Sequence, residues 1–256
     1  MGSDRAHDDD GFRWPEGRRA ALSISFDDAR PSQVDRGLPI LDAHGVKGTF
    51  YVSPRSVKQR LDGWRAAVAN GHEIGNHSLS HPCSGNFVQA RRNPLEHFTL
   101  DRIEQDLLAA NRAIEELLDV TPLTYAYPCG QTFVGRGVDQ HSYVPVVARH
   151  FVAGRRAFDE THNSPVYCDL AMLTSMDADC ADFGHLLKLV QAALDDGGWL
   201  VLMCHDVGES GRQVTRADAL DELCRFATDP AGGLWVGTVA TIAAHVARAR
   251  SEGHST

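Results

Sequence analysis

The sequence predicts an α/β fold, a distorted parallel (β/α) barrel with about seven strands. Three observations predict it. Short apolar runs rich in β-branched and aromatic residues alternate with stretches of helical period along the 256 residues. Two of the helical stretches close on a glycine, Gly45 and Gly71, where the chain would turn back into the next strand. The run 198–204, Gly-Trp-Leu-Val-Leu-Met-Cys, is almost continuously apolar, as expected of a parallel strand covered on both faces. No internal repeat and no linker divides the chain. It reads as one domain over residues 14–256, preceded by a polar tail over 1–13 that carries Asp8-Asp9-Asp10. A doubly wound open sheet is the alternative arrangement of the same pattern.

The first strand runs over 19–26 and ends in Asp27-Asp28, after which Pro31-Ser32 opens a helix over 33–44. A strand over 48–52, a helix over 57–70 and a short strand over 72–77 follow. Trp64 reads as a packing residue on that helix rather than a platform for a sugar. Residues 78–98 hold Pro82, Gly85, Asn93 and Pro94 without a clear period. They predict a long loop, and such loops in compact domains are usually functional or disordered. The clearest helix spans 100–118, with Ile103, Leu107, Leu108, Ile114, Leu117 and Leu118 as its apolar positions. A strand over 123–127 stops at Pro128 and Gly130. Beyond it the pattern gives a helix over 143–149, a strand over 151–153, a loop over 159–169, a strand over 171–176 and a helix over 183–194. The apolar strand 198–204, a helix over 217–227, a strand over 234–236 and a terminal helix over 239–250 complete the chain.

Composition narrows the function. The formal net charge is -9, so a polyanion would be repelled and no nucleic acid or anionic membrane partner is expected. No apolar run reaches the ~18 residues that span a bilayer. The polar N-terminus carries no apolar signal core, and the expectation is a cytoplasmic protein, or an exported one if a leader has been removed. Self-association as a homo-oligomer is compatible with the composition. None of the six cysteines forms a C-x-x-C pair, which speaks against a zinc knuckle or a redox motif. Most are expected to be free, buried small hydrophobes. The even count leaves disulfides open for an exported protein.

In parallel α/β folds chemistry collects at the C-terminal ends of the strands. The most polar strand ends here are Asp27-Asp28, His77 with His81 four residues on, Tyr127-Pro128-Cys129-Gly130, and His205-Asp206. Adjacent carboxylates at the end of an apolar strand need compensation. Because neighbouring strand residues point to opposite sides, one can bind a metal while the other takes a proton from water. The plain alternative for this pair is a helix cap. Two imidazoles four apart can share one divalent metal, although His-x-x-x-His also arises by chance among 13 histidines. With an Asp from another strand end, the set becomes two His and one carboxylate, a ligand set that leaves a position open for water. His205 stands where an acid–base residue would be placed, and a core histidine bonded to a carbonyl is its plain alternative.

These residues together resemble the polysaccharide deacetylases, the NodB homology domain of carbohydrate esterase family 4. Ser25-Phe26-Asp27-Asp28 is similar to the family's first motif, His77-Ser78-x-x-His81 matches the second, and residues 200–205 resemble the fifth. The resemblance covers roughly residues 19–238. It implies that Asp28, His77 and His81 hold one divalent metal ion, zinc first, with Co2+, Ni2+ or Fe2+ also suited to the set. It implies Asp27 as general base, His205 as general acid and the Cys129 backbone N–H as oxyanion donor. The substrate implied is an acetylated carbohydrate, losing an N-acetyl or O-acetyl group. Tyr127 and the 78–98 loop are expected to shape the substrate groove. The sequence departs from the family twice. The third motif carries an Arg ahead of its Pro, where this chain has Ala126 in Tyr125-Ala126-Tyr127-Pro128-Cys129-Gly130. The fourth is an Asp-Trp pair, where this chain has Met176-Asp177-Ala178-Asp179 and no Trp. Asp177 or Asp179 is expected beside His205, and Asp179 is the candidate catalytic partner. Hydrolysis of a small cyclic imide or ureide is the alternative activity, and a weakly catalytic carbohydrate-binding domain the alternative of another class.

Overall fold

The computed structural model describes residues 12–253. Its sheet holds eight strands: β1 (Ala20–Asp27), β2 (Thr49–Val52), β3 (Glu73–Asn76), β4 (Thr124–Ala126), β5 (Ala153–Arg155), β6 (Met176–Asp177), β7 (Trp199–Cys204) and β8 (Leu234–Val236). The order is β5-β4-β3-β2-β1-β7-β6, with β8 pairing the start of β1, and every pairing is parallel. The segment ahead of β6 ties the sheet's two edges together. Leu173 N donates to Gly154 O and Arg156 N to Leu173 O, and β6 itself pairs with β7. The result is a distorted (β/α) barrel, as the alternation of strands and helices predicts.

The helices lie outside: α1 (Leu38–Ala43), α2 (Leu61–Ala69), α3 (Leu100–Leu118), α4 (Val144–His150), α5 (Phe183–Asp196), α6 (Ala217–Ala227) and α7 (Val239–Gly253). Every residue of β1 and of β7 is buried, which accounts for their nearly unbroken apolar sequences. The two serines inside β1 stay satisfied, because Ser23 Oγ donates to Gly237 O and Ser25 Oγ to Leu202 O. Helix α3 buries Ile103, Leu107, Ala110, Ile114 and Leu118 as one stripe, and its N-cap Thr99 accepts from Arg102 N. Trp64 is fully buried against Phe50, a packing residue as expected. Among the described residues no helix is long and apolar enough to cross a membrane.

Several expectations need correction. The helix over 33–44 is a π turn, Gln33–Gly37, followed by α1. Pro39 has no N–H to donate, which interrupts the α ladder at this point. The strand over 151–153 is β5, Ala153–Arg155, shifted toward its C-terminus. The strand over 171–176 begins as a 3-10 turn, Leu170–Met172, because the Asp169 carboxylate accepts from Ala171 N and winds the chain there, and Leu173 then makes a single parallel bridge to Arg155. Only Met176 and Asp177 pair as strand. Of the tail over 1–13, residues 1–11 lie outside the described residues. Phe12 packs on Trp14, and Arg13 O accepts from His245. Cys83 and Cys129 form a disulfide, whereas Cys168, Cys180, Cys204 and Cys224 are free, Cys180 being exposed.

Candidate active site

The site assembles at the C-terminal end of the sheet. Strand β1 delivers Asp27 into the barrel, and the chain then passes through two left-handed residues, Asp28 (φ 76°) and Ala29 (φ 54°). Asp tolerates that region through its short polar side chain; Ala does not, so the turn at Ala29 is held under strain by its surroundings. The turn aims the two carboxylates differently. Asp27 is buried and ion-paired to the Arg155 guanidinium, and Asp28 faces the histidines beyond β3.

Asp28 Oδ1 lies 3.7 Å from His77 Nε2 and 3.5 Å from His81 Nε2, and the three ligand atoms fall within 4.8 Å of one another. Each side chain is held from behind. His77 Nδ1 sits 2.9 Å from Ala126 O. That contact makes Nδ1 the protonated nitrogen and leaves the Nε2 lone pair facing Asp28. His81 follows a tight turn in which Ser78 Oγ accepts from His81 N, Asn76 Oδ1 from Ser78 N, and Asp106 Oδ1 on α3 from Leu79 N. Burial and the neighbouring His77 pull the His81 imidazole down to about 4 against the pull of Asp28 and Asp27. Burial raises the Asp28 carboxyl, but His77, His81 and Arg30 outweigh it and hold it at about 2. Neutral imidazole and ionised carboxylate are the forms a divalent cation requires, so these residues fit one.

Arg30 braces this set. Its Nε and Nη2 donate to Asp28 Oδ2, Nη1 to Asp206 Oδ2 and Nη2 to Gln213 Oε1. Asp28 Oδ1 is thereby left to face the histidines. Loss of such a supporting contact typically costs 10–100-fold in metal affinity. Arg30→Ala should therefore weaken metal binding by about that factor while leaving the fold intact, measured by competition with a chelator of known affinity. Affinity unchanged within about twofold would remove Arg30 from the site.

His205 stands at the end of β7, across β1 from these residues. Its Nδ1 is 2.6 Å from Asp179 Oδ2, and its backbone N donates to Asp179 Oδ1, which also accepts from Thr215 Oγ1. Asp177 lies behind Asp179, accepting from its backbone N. The structure thus brings Asp179, not Asp177, to His205. Burial lowers the His205 imidazole, but the hydrogen bond to Asp179 and the charges of Asp27 and Asp179 outweigh it, and the net shift is upward. An acid acts below its own pKa. Asp179→Asn should let burial dominate, move the alkaline limb of the pH–rate profile to lower pH and reduce turnover at pH 8 by about tenfold or more. An unmoved limb would show that His205 is not the titrating acid.

Gln33, first residue of the π turn, donates through Nε2 to the carbonyls of Asp27 and His205 and so joins the two strand ends. The Cys83–Cys129 disulfide joins the loop after His81 to the Pro128–Gly130 turn. Cys83 Sγ is 3.7 Å from His81 Nδ1, but cysteines bonded to each other offer no thiolate to a metal. Tyr127 requires a correction. It is 1 % exposed, its hydroxyl donates to Ala171 O and its ring packs against Tyr143. It therefore shapes the core rather than touching substrate. Sequence reasoning missed Arg155, Arg30, Gln33 and the disulfide. Only Arg155 carried a usable signal, a cation at the end of a strand whose extent was read two residues short.

A family model described as polysaccharide deacetylase matches residues 15–136 of this chain, a little under half of it. The chitooligosaccharide deacetylase of Sinorhizobium fredii is 35 % identical over 95 residues, 37 % of this chain and 39 % of that protein. The chain spans well under half the length of the curated relatives it matches. Solved structures share the fold over nearly the whole chain. A Mycobacterium smegmatis protein assigned to the polysaccharide deacetylases superposes with a TM-score of 0.67 at 20 % identity, over 93 % of both chains. A family 4 acetyl xylan esterase from Clostridium thermocellum, solved with a cobalt ion, gives 0.56 at 19 % identity over 87 % of this chain and 89 % of its own.

Proposed function

We propose that the protein is a metal-dependent hydrolase that removes acetyl groups from an acetylated carbohydrate. The observation that carries the reading is the convergence of three units at one end of the barrel. These are the Asp27 carboxylate, the Asp28–His77–His81 set and the His205–Asp179 pair. The naming of a chitooligosaccharide deacetylase and an acetyl xylan esterase among the similar proteins supports the substrate class.

Asp28, His77 and His81 would hold the metal, with zinc the first candidate and cobalt, nickel or iron(II) also compatible with two imidazoles and a carboxylate. Burial would raise the Asp27 carboxyl, but Arg155, His77 and His205 outweigh it and hold it below the ordinary carboxylate range. So weak a base needs an acidified water, and that acidification, with polarisation of the acetyl carbonyl, is what a divalent cation supplies. Asp27 takes the water's proton. The water oxygen bonds to the acetyl carbon, and His205, whose protonated form Asp179 favours, gives a proton to the departing nitrogen or oxygen as its bond to that carbon breaks and acetate is released. An amide nitrogen is the poorer leaving group, so N-deacetylation depends more on His205 than O-deacetylation does. The Cys129 N–H lies in the turn that the disulfide ties to the loop after His81, and it is the backbone donor that the resemblance assigns to the oxyanion. That disulfide also supports action in an oxidising compartment rather than the cytoplasm.

The test is elemental analysis of the purified protein together with acetate release from a panel of acetylated chito-oligosaccharides, peptidoglycan fragments and xylan, with cyclic imides assayed beside them. Stoichiometric metal and acetate release support the reading. Metal with turnover of cyclic imides alone would transfer the site to C–N ring opening. Absence of metal binding would overturn it.

A further inference from the structure

We propose that Arg155, reaching in from β5, is the positioning residue of Asp27. The inference rests on Asp27 as the base. Strands β4 and β5 pair in parallel with Ala126 directly opposite Arg155. Opposed residues on adjacent parallel strands project to the same face about 4.8 Å apart. Two full-length arginines there would place two guanidinium groups in one buried space, and Ala126 leaves that space to one. Both residues are fully buried. The small side chain at 126 and the arginine at 155 are therefore two halves of one arrangement.

The Arg155 side chain crosses the interior of the barrel, since β5 and β1 are separated by three strands in the sheet. Nη2 donates to Asp27 Oδ1, and Nη1 donates to Ser175 Oγ at 3.0 Å and to Arg156 O at 2.8 Å. Ser175 Oγ in turn donates to Arg156 O. Cζ lies 4.9 Å from the ring centre of Tyr51, the residue opposite Asp27 in the β1–β2 register. A planar fork fixed at one end by a serine and a carbonyl and at its side by an aromatic face has little freedom. The carboxylate it pairs with is fixed as well. One oxygen of Asp27 is taken by Arg155, so the orientation of the other, the proton acceptor, is set by the guanidinium.

A purely structural ion pair would matter for folding and not for turnover once folded. Four variants separate the cases: Arg155→Ala, Arg155→Lys, Ala126→Arg, and Ala126→Arg combined with Arg155→Ala. Each is assayed on whichever substrate the wild-type protein turns over, with metal content and the thermal transition measured on the same samples. The expected result for Arg155→Ala is wild-type metal content, KM within about twofold and kcat lowered about 100-fold, the usual effect of displacing a reacting group by an ångström. Arg155→Lys keeps the charge without the fork and should stay at least tenfold down in kcat. The double variant should regain at least tenfold of the lost kcat. Should Arg155→Ala fail to fold, the lysine and double variants carry the same comparison. Wild-type kcat in a folded, metal-loaded Arg155→Lys, or a double variant no better than Arg155→Ala, would overturn the proposal. A wild-type protein that turns over neither acetylated sugars nor cyclic imides would instead overturn the functional reading beneath it.

Discussion

Asp27→Asn should retain the metal and lose about 100- to 10,000-fold in kcat, the range that a positioned general base contributes. The expectation follows from how the two adjacent aspartates are divided. Asp28 shares its Oδ1 with both histidines and its Oδ2 with Arg30, whereas Asp27 faces Arg155. Asparagine preserves an oxygen for the Arg155 N–H, so the fold should survive. It removes the negative charge that pairs a fully buried guanidinium, however, and breaking such a pair outright costs about 3–5 kcal/mol. The thermal transition should therefore fall as well, by less than that full amount because the hydrogen bond remains. Elemental analysis, acetate release and a melting curve on one preparation separate the effects. A metal-loaded, folded Asp27→Asn protein with kcat within about tenfold of wild type would end the assignment of Asp27 as base.

What the sequence made legible was local. Asp27, Asp28, His77 and His205 could be read because each stands at or just past a strand end, with His81 four residues beyond His77, and strand ends in parallel sheets face one mouth. Asp179 was narrowed to one of two carboxylates by the resemblance of residues 176–179 to the fourth motif. Arg155 lies 128 positions from Asp27, and no pattern within a window of residues expresses a pairing across the inside of a barrel. Its strand was misplaced by two residues because Phe151, Val152 and Ala153 carry the β-rich signal, while Gly154 and Arg155 complete the strand by pairing with β4. The Cys83–Cys129 bond was out of reach because connectivity does not follow from spacing. Tyr127 was misjudged on side-chain direction. It belongs to a strand-end motif, but its ring turns into the cluster of Tyr125 and Tyr143, and burying an aromatic surface of that size outweighs presenting it at the rim.

His77→Ala should abolish metal binding, and with it all but background activity. His77 is the buried member of the ligand set, with Nδ1 committed to the Ala126 carbonyl, so its Nε2 is held in place as a ligand by the strand end. Two donors, Asp28 and the half-exposed His81, would remain, and that is too few for the ligand sets that retain a catalytic divalent ion. The substitution also strands the Ala126 carbonyl and leaves a cavity at the strand end. A buried acceptor without a partner costs about 1–3 kcal/mol, so the protein should remain folded with a lowered transition. Dialysis against a weak chelator followed by elemental analysis should find wild type loaded and His77→Ala empty, and excess metal in the assay should restore neither content nor turnover. This profile is the converse of Asp27→Asn, in which metal stays and turnover goes. The two variants together separate a residue that holds the ion from one that acts beside it. Metal content in His77→Ala equal to that of wild type would disprove the ligand set, whatever the activity.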